Sequence, residues 1–185
     1  MSLPPPAPRE KLHRREIAIE GFVREDGNYD IDAWLSDIKS HEFNTDRGAF
    51  AAGSVLHGMG ARMTVTPMRE IVDFVVSMED TPSAACDTAP ANFKALIGLT
   101  IGPGFVREAY ARVGGTLGCT HIREMLQQMA TVVYQTQFKL RRQTRDPQKP
   151  PPLLNSCHGW RADGDLVRNN YPAFYQAAAR KGGED

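Results

Sequence analysis

Residues 114 to 129, GGTLGCTHIREMLQQM, run a glycine-rich turn directly into Cys119, Thr120 and His121 and on into an amphipathic segment. A thiol and an imidazole are thereby placed where a helix starts. Backbone N–H groups point outward there, and the dipole favours a thiolate or a neutral imidazole over an imidazolium. His121 is the first candidate for a general base. Glu124, three residues on along the same helix face, is placed to orient it. A histidine that caps the helix by bonding backbone is the structural alternative.

Two further residues join His121 as catalytic candidates. His57 lies in LHGMGARM, just ahead of a strand. Arg62 alternates with Met63 on that strand; if it faces a helix layer it is buried and needs an anion. A carboxylate or phenolate substrate would serve, as would Asp30, Asp32 or Asp37 within the chain. Tyr29, Trp34, Tyr110 and Trp160, with His158, are the candidate substrate-binding side chains, and packing in the core is the alternative for the aromatic ones.

The soft ligands fall in three short clusters, Cys86-Asp87, Cys119 with His121, and Cys157-His158, 33 and 38 residues apart counted cysteine to cysteine. A zinc or iron–sulfur site needs about four ligands. No C-x-x-C pair is present, so no metal is expected. Cys86, Asp87, Cys119, His121 and Cys157 form the alternative ligand set for zinc or an Fe–S cluster, and buried thiols packed as small hydrophobes are the other outcome.

The elements that must position these residues read as strands first and helices second. Ile17 and Ile19 alternate with Glu16 and Glu20, and Gly21 suggests a bulge. Asp26-Gly27-Asn28 is a hairpin turn signal. On the return strand Tyr29, Ile31, Ala33 and Leu35 share a face, with Asp30 and Asp32 opposite. Ala61, Met63 and Val65, then Val72, Phe74, Val76 and Met78, make a second pair around Pro67. The expected sheet is a four-stranded antiparallel meander. Residues 41–60 show no clear period and are read either as a lid over a pocket or as a surface insertion. In the second half, Pro90 opens a helix with Phe93, Leu96 and Ile97 on its apolar side. Phe105 to Val113 is a short helix closed by Gly114-Gly115. A long helix from about Thr120 to Arg142 carries Ile122, Met125, Leu126, Met129, Val132 and Val133 at helical spacing. The fold class is therefore α+β, with the sheet covered on one face by helices. The expected organisation is a proline-rich flexible arm over 1–10, a single domain over 11–145, and a linker and tail over 146–185 that folds back on the domain.

Composition removes several function classes. The chain has 185 residues, 22 Lys plus Arg against 22 Asp plus Glu, and 41% hydrophobic residues. A core of ordinary size is affordable without disulfides. Charge neutrality argues against a nucleic-acid partner. Three cysteines argue against a secreted disulfide framework. No apolar run reaches the roughly 20 residues of a membrane span, and the N-terminus lacks a signal-peptide core. A cytoplasmic protein without a membrane partner is the expectation. The exposed edge of a four-stranded sheet makes a homodimer a further expected arrangement.

Several of these segments together, LHRREIAIEGFVREDGNYDIDAWLSDIK, LHGMGARMTV, the Cys86 region, FKALIGLTIGPGFVREAYARVGGTLGCTHIREML and CHGWRADGDLVRNNYP, resemble a bacterial family known as a domain of unknown function. The Gly-Cys-Thr-His helix start followed by Glu124 is the most specific part of the match. The layout is in turn similar to that of NifU- and SufE-type iron–sulfur scaffold and sulfur-transfer proteins. Members of the family occur in bacteria that degrade aromatic compounds. The resemblance thus implies a small cofactor-independent enzyme acting on a lignin-derived phenolic. Its reaction would be a carbon–carbon lyase step releasing an aldehyde such as formaldehyde, or a ring-opening lyase or isomerase step. His121 or His57 would be the base, and Arg62 or a tyrosine would stabilise the phenolate. The likeness to scaffold proteins implies the alternative of a zinc or sulfur carrier using Cys86, Cys119 and Cys157. A dimeric binding module is the third reading.

Overall fold

A computed structural model describes residues 3–177 of the chain. Residues 3–12 are exposed and carry neither strand nor helix. The chain then divides into two compact units, one through Lys139 and one from Leu140.

The first unit is built on a four-stranded antiparallel sheet in chain order: β1 (His13–Val23), β2 (Tyr29–Lys39), β5 (Val55–Val65) and β6 (Ile71–Asp80). The Asp26-Gly27-Asn28 signal forms the first turn, with Gly27 at φ 84° and the Arg24 amide donating to the Asn28 carbonyl. Alternation places Ile31, Ala33 and Leu35 on the inner face, at most 2% exposed. Met59, Ala61, Met63 and Val65 extend that face across β5. The expected bulge at Gly21 is absent, because β1 and β2 pair without a register shift. Gly21 is instead required by a close approach: a Cβ there would lie 1.8 Å from the Thr136 hydroxyl oxygen.

Residues 41–60 differ from the expected structureless segment. Phe43–Thr45 (β3) and Gly48–Phe50 (β4) form a small hairpin with Phe43 and Phe50 stacked at 5.0 Å. Val55 to Gly60 is already strand β5. Gly58 and Gly60, together with an inward imidazole at His57, hide the alternation that marks a half-buried strand.

Helices cover the inner face. Ala84–Leu96 is a run of 3-10 turns rather than an α-helix, with Pro90 inside it; Phe93 and Leu96 are buried, whereas Ile97 is 39% exposed. Helix α1 (Phe105–Val113) ends at Gly114 as expected. Gly118 then passes so close to α1 that a Cβ would meet the Val113 carbonyl oxygen at 2.5 Å. Helix α2 (Thr120–Thr136) lies across β1, β2 and β5 and buries Ile122, Met125, Leu126, Met129, Ala130 and Val133. With 17 residues it spans about 26 Å and stops short of Arg142. Gln137 breaks it: this fully buried side chain donates to the Thr66 carbonyl, and the chain restarts as α3 (Phe138–Gln143). The result is an α+β layer fold with helices on one face of the sheet.

The second unit holds the 3-10 turn His158–Trp160, helix α4 (Asp165–Asn170) and a further 3-10 turn, Pro172–Phe174. Within it the Trp160 and Tyr171 rings lie 5.5 Å apart, and the Arg145 guanidinium stands 4.5 Å from the Tyr171 ring centroid.

Candidate active site

The apolar stripe of the inner face becomes titratable at one end of the sheet. Strand parity continues Ile19 and Ile17 into Arg15 and His13 on β1, Leu35 into Asp37 on β2, and Met59 into His57 on β5. Pairing brings these into line, because Arg15 opposes Asp37 and Asp37 opposes His57. The start of α2 adds His121 from above.

Asp37 is the hub and is 1% exposed. Arg15 grips it with two parallel hydrogen bonds, Nε to Oδ1 and Nη2 to Oδ2, each 2.8 Å. His13 Nε2 lies 3.0 Å from Oδ1, and His57 Nδ1 lies 3.0 Å from Oδ2. His121 Nε2 approaches Oδ2 at 3.8 Å. The His57 and His121 rings sit with centroids 3.9 Å apart, tilted by 36°. Glu124 takes the remaining arm of Arg15 at 2.7 Å, tying α2 to β1. On its far side, His121 Nδ1 is 3.7 Å from the Cys119 sulfur, which also touches the Met59 sulfur at 3.8 Å. Cys119 makes no side-chain cap bond to the helix, so its thiol is left to the imidazole.

The electrostatics follow from this arrangement. Burial pushes the Asp37 carboxyl up, but the hydrogen bonds and charge of Arg15, helped by His13 and His57, overcome it and hold the group at about 2. Burial lowers His57 most; the Asp37 charge opposes this, and the charges of Arg15 and His13 add to the lowering. Burial likewise lowers His121, followed by the charges of His57 and Arg15, against the pull of Asp37 and Glu124. The result is a permanent carboxylate beside two imidazoles that favour their neutral, proton-accepting form. Side-chain exposures of 14% for His57 and 22% for His121 leave both reachable from solvent.

A cleft of about 240 Å³ adjoins this end of the sheet. Val55, two residues from His57 on β5, and Met78, which pairs with Met59, belong to its wall with Phe50. Arg47 and Asp87, paired at 2.8 Å, also line it.

Of the residues expected at a site, His57 and His121 meet, and Arg62 does not join them. Arg62 lies on the outer face of the sheet, half exposed, and forks onto Asp32 with its Nε at 2.6 Å. Even positions of β2 and β5 face away from α2, which is also why Trp34 is 46% exposed there. Tyr29 is on the inner face but at the opposite end of β2 from Asp37. Tyr110 on α1 is capped by the Arg123 guanidinium at 5.1 Å. Trp160 and His158 belong to the second unit. Of the alternative metal set, no three of Cys86, Asp87, Cys119 and His121 gather within ligand reach of one another among the described residues of the first unit, where Asp87 is tied to Arg47; Cys157 belongs to the second unit. Glu124 turns to Arg15 rather than to His121. The sequence offers Asp37 only as a structural partner for Arg62 and gives Arg15 and His13 no role; parity with buried neighbours is the signal that marks all three.

The fold and site together define an α+β protein whose sheet-and-helix core carries a buried carboxylate between two imidazoles. Residues 13–135 match the family model described as "Protein of unknown function (DUF2889)", and the chain belongs to that family. No curated protein and no solved structure matches it. The matched span contains every residue of the Asp37 cluster. No helix among the described residues is long and apolar enough to cross a membrane.

Proposed function

We propose that the chain is a small cofactor-independent enzyme that uses His57 and His121 as proton acceptors. The observation that carries this is the Asp37–His57 contact at 3.0 Å with His121 stacked on the same imidazole. A carboxylate that stays ionised fixes the tautomer and orientation of the imidazole it touches, leaving the other ring nitrogen to take a proton. With Nδ1–H of His57 donated to Asp37, its Nε2 is the free base. His121 has a base of its own in Nε2 when Nδ1–H points at the Cys119 sulfur.

The reaction that suits such a base is a lyase step on a lignin-derived phenolic bearing a primary alcohol. The base takes the hydroxyl proton, and the oxygen's electron pair becomes the C=O bond of formaldehyde. Before that, the substrate's own phenolate expels the oxygen on its benzylic carbon, opening that C–O bond and leaving a quinone methide. The carbon–carbon bond then breaks, and its electron pair passes into the quinone-methide ring, which becomes a phenolate again while the expelled oxygen awaits a proton. The imidazolium then returns the proton. Phe50, Val55 and Met78 give the neighbouring cleft one apolar wall for an aromatic ring, while Arg47, Glu79, Asp80, Thr81 and Asp87 make the rest of its lining polar. Arg62 has no part in this reading, because the sheet stands between it and the histidines.

The test is formaldehyde release from a panel of such phenolics by the purified protein, compared with His57→Ala and His121→Ala. Loss of a general base lowers kcat by about 10²–10⁴-fold. Release that is equally fast in both variants, or absent with every substrate, overturns the reading.

A further inference from the structure

The geometry points to a second use of the same cluster: a divalent transition-metal ion, Zn²⁺ foremost, binds through Asp37 Oδ2, His57 Nδ1 and His121 Nε2, in competition with proton transfer. These three atoms lie within 4.8 Å of one another. The inference rests on the same residues as the enzymatic reading but not on their acting as bases.

The contact that argues for an ion is His121 Nε2 to Asp37 Oδ2, at 3.8 Å. That separation is too long for a hydrogen bond. Two ligands on one tetrahedral zinc, with bonds of about 2.0–2.1 Å, stand about 3.4 Å apart. The His57 contact, at 3.0 Å, brackets that distance from below. The third pair, His57 Nδ1 and His121 Nε2, lies within 4.8 Å, so closing the two rings by at most about 1.4 Å would bring all three atoms to one ion.

The surroundings are those that metal ligands require. The ligating carboxylate is buried rather than one of many exposed acids; Arg15 and His13 hold its Oδ1, and Arg15 Nη2, 2.8 Å from Oδ2, would share that oxygen with the ion. Ligating histidines use the second nitrogen to bond an outer partner, which fixes the ring. Cys119 stands in that place for His121, next to Nδ1 on the side away from Asp37. Cys119 is thus a positioning residue and not a ligand. Asp37 and Glu124 give two negative charges against the single positive charge of Arg15, so the site is net negative before an ion enters. Two imidazoles and one carboxylate select a borderline ion over Mg²⁺ or Ca²⁺. Three protein ligands leave one position open; the ion takes the His121 Nε2 lone pair directly and, by occupying His57 Nδ1, moves that ring's proton to Nε2, so neither imidazole remains a base.

The experiment uses the full chain with Cys86→Ser and Cys157→Ser, which removes the thiols outside the cluster. Chelator-treated protein is titrated with ZnCl₂ and CoCl₂ by calorimetry, and the imidazole resonances are followed by NMR. One equivalent should bind, Co²⁺ should give a tetrahedral spectrum, and His57 and His121 should shift while His41 and His158 do not. His57→Ala and His121→Ala should each weaken binding at least tenfold. The NMR arm needs no site variant, so misfolding of the alanine proteins cannot mask the answer. Absence of stoichiometric binding, unshifted His57 and His121 signals, or undiminished binding in both variants overturns the inference. Turnover by the chelator-treated protein separates the two readings: activity without metal binding sinks only this one, and metal binding without activity sinks only the other.

Discussion

His57 and His121 lie 64 positions apart in the chain yet stack with ring centroids 3.9 Å apart, one held by a strand and the other by a helix start. Asp37 lies beneath both. Because each ring, when charged, raises the cost of charging the other, the pair holds at most one proton readily. This relationship sets how the protein responds to acid.

Stability should fall in two steps as pH drops. Both imidazoles have folded pKa values below the ordinary 6.5, so the unfolded chain binds more protons and stability declines as pH falls through 6.5. Asp37 is lowered to about 2; its contribution is complete above the ordinary carboxylate value of 3.8 and disappears as pH falls through about 2. Thermal unfolding followed by circular dichroism from pH 8 down to about pH 1.5 reads both steps. His57→Gln with His121→Gln should flatten the first. A midpoint that rises between pH 7 and pH 5 contradicts the argument.

Replacing the hub should cost stability as well as turnover. Asp37→Asn keeps the shape but leaves Arg15, which is 36% exposed and still bonded to Glu124, without its buried counter-charge, an effect of roughly 1–2 kcal/mol. Urea unfolding measures it. In the same variant the His57 imidazole loses the anion that favours its charged form, so its NMR titration should move to still lower pH. A stability change under about 0.5 kcal/mol, the size of a neutral surface substitution, would show that Asp37 does not organise the cluster.

Arg62→Gln separates the two faces of the sheet. It unpairs Asp32, which is nearly buried, so the melting temperature should drop by a few degrees. Formaldehyde release should stay within about twofold of the parent, well under the 10²-fold effect of losing a base. A loss as large as that of His121→Ala would place Arg62 in the reaction after all.

Gly21 offers a packing test away from the chemistry. Gly21→Ala drives a methyl to 1.8 Å from the Thr136 hydroxyl oxygen, and overpacking of this kind costs about 1–3 kcal/mol. Thr136→Ala in the same chain removes the contacts at 1.8 and 3.1 Å and leaves only its own Cβ at 2.9 Å. The double variant should therefore recover most of the loss. Additive losses in a double-mutant cycle would mean that the two residues do not meet.

The architecture was legible where apolar residues repeat without interruption. Ile31, Ala33 and Leu35, or Ile122, Met125, Leu126 and Met129, announce their elements and their buried faces. The site was harder to read because it sits where that repeat ends. Asp37 keeps the parity of Leu35, Arg15 that of Ile17, and His57 that of Met59, but a charged residue at an inward position looks like the end of a strand. Two glycines around His57 deepen the effect. The 3-10 run at Ala84–Leu96 is hard to read for another reason: Pro90 suits a first helical turn, yet the run begins at Ala84, where the Ser83 side chain accepts from the Ala85 amide. Gln137 ends α2 through a bond to Thr66, a partner 71 positions away that no local pattern announces.

The Arg15–Glu124 bond joins residues 109 positions apart, and with Asp37 and His57 it makes the cluster depend on β1, β2, β5 and α2 at once. Contacts of such long range form only after much chain entropy has been given up, late on the way to the native state. No fragment ending before α2 can carry the complete constellation. A newly made chain therefore completes the Asp37 cluster only once α2 has docked on the sheet, so that turnover by the proposed enzyme would report that this docking has taken place.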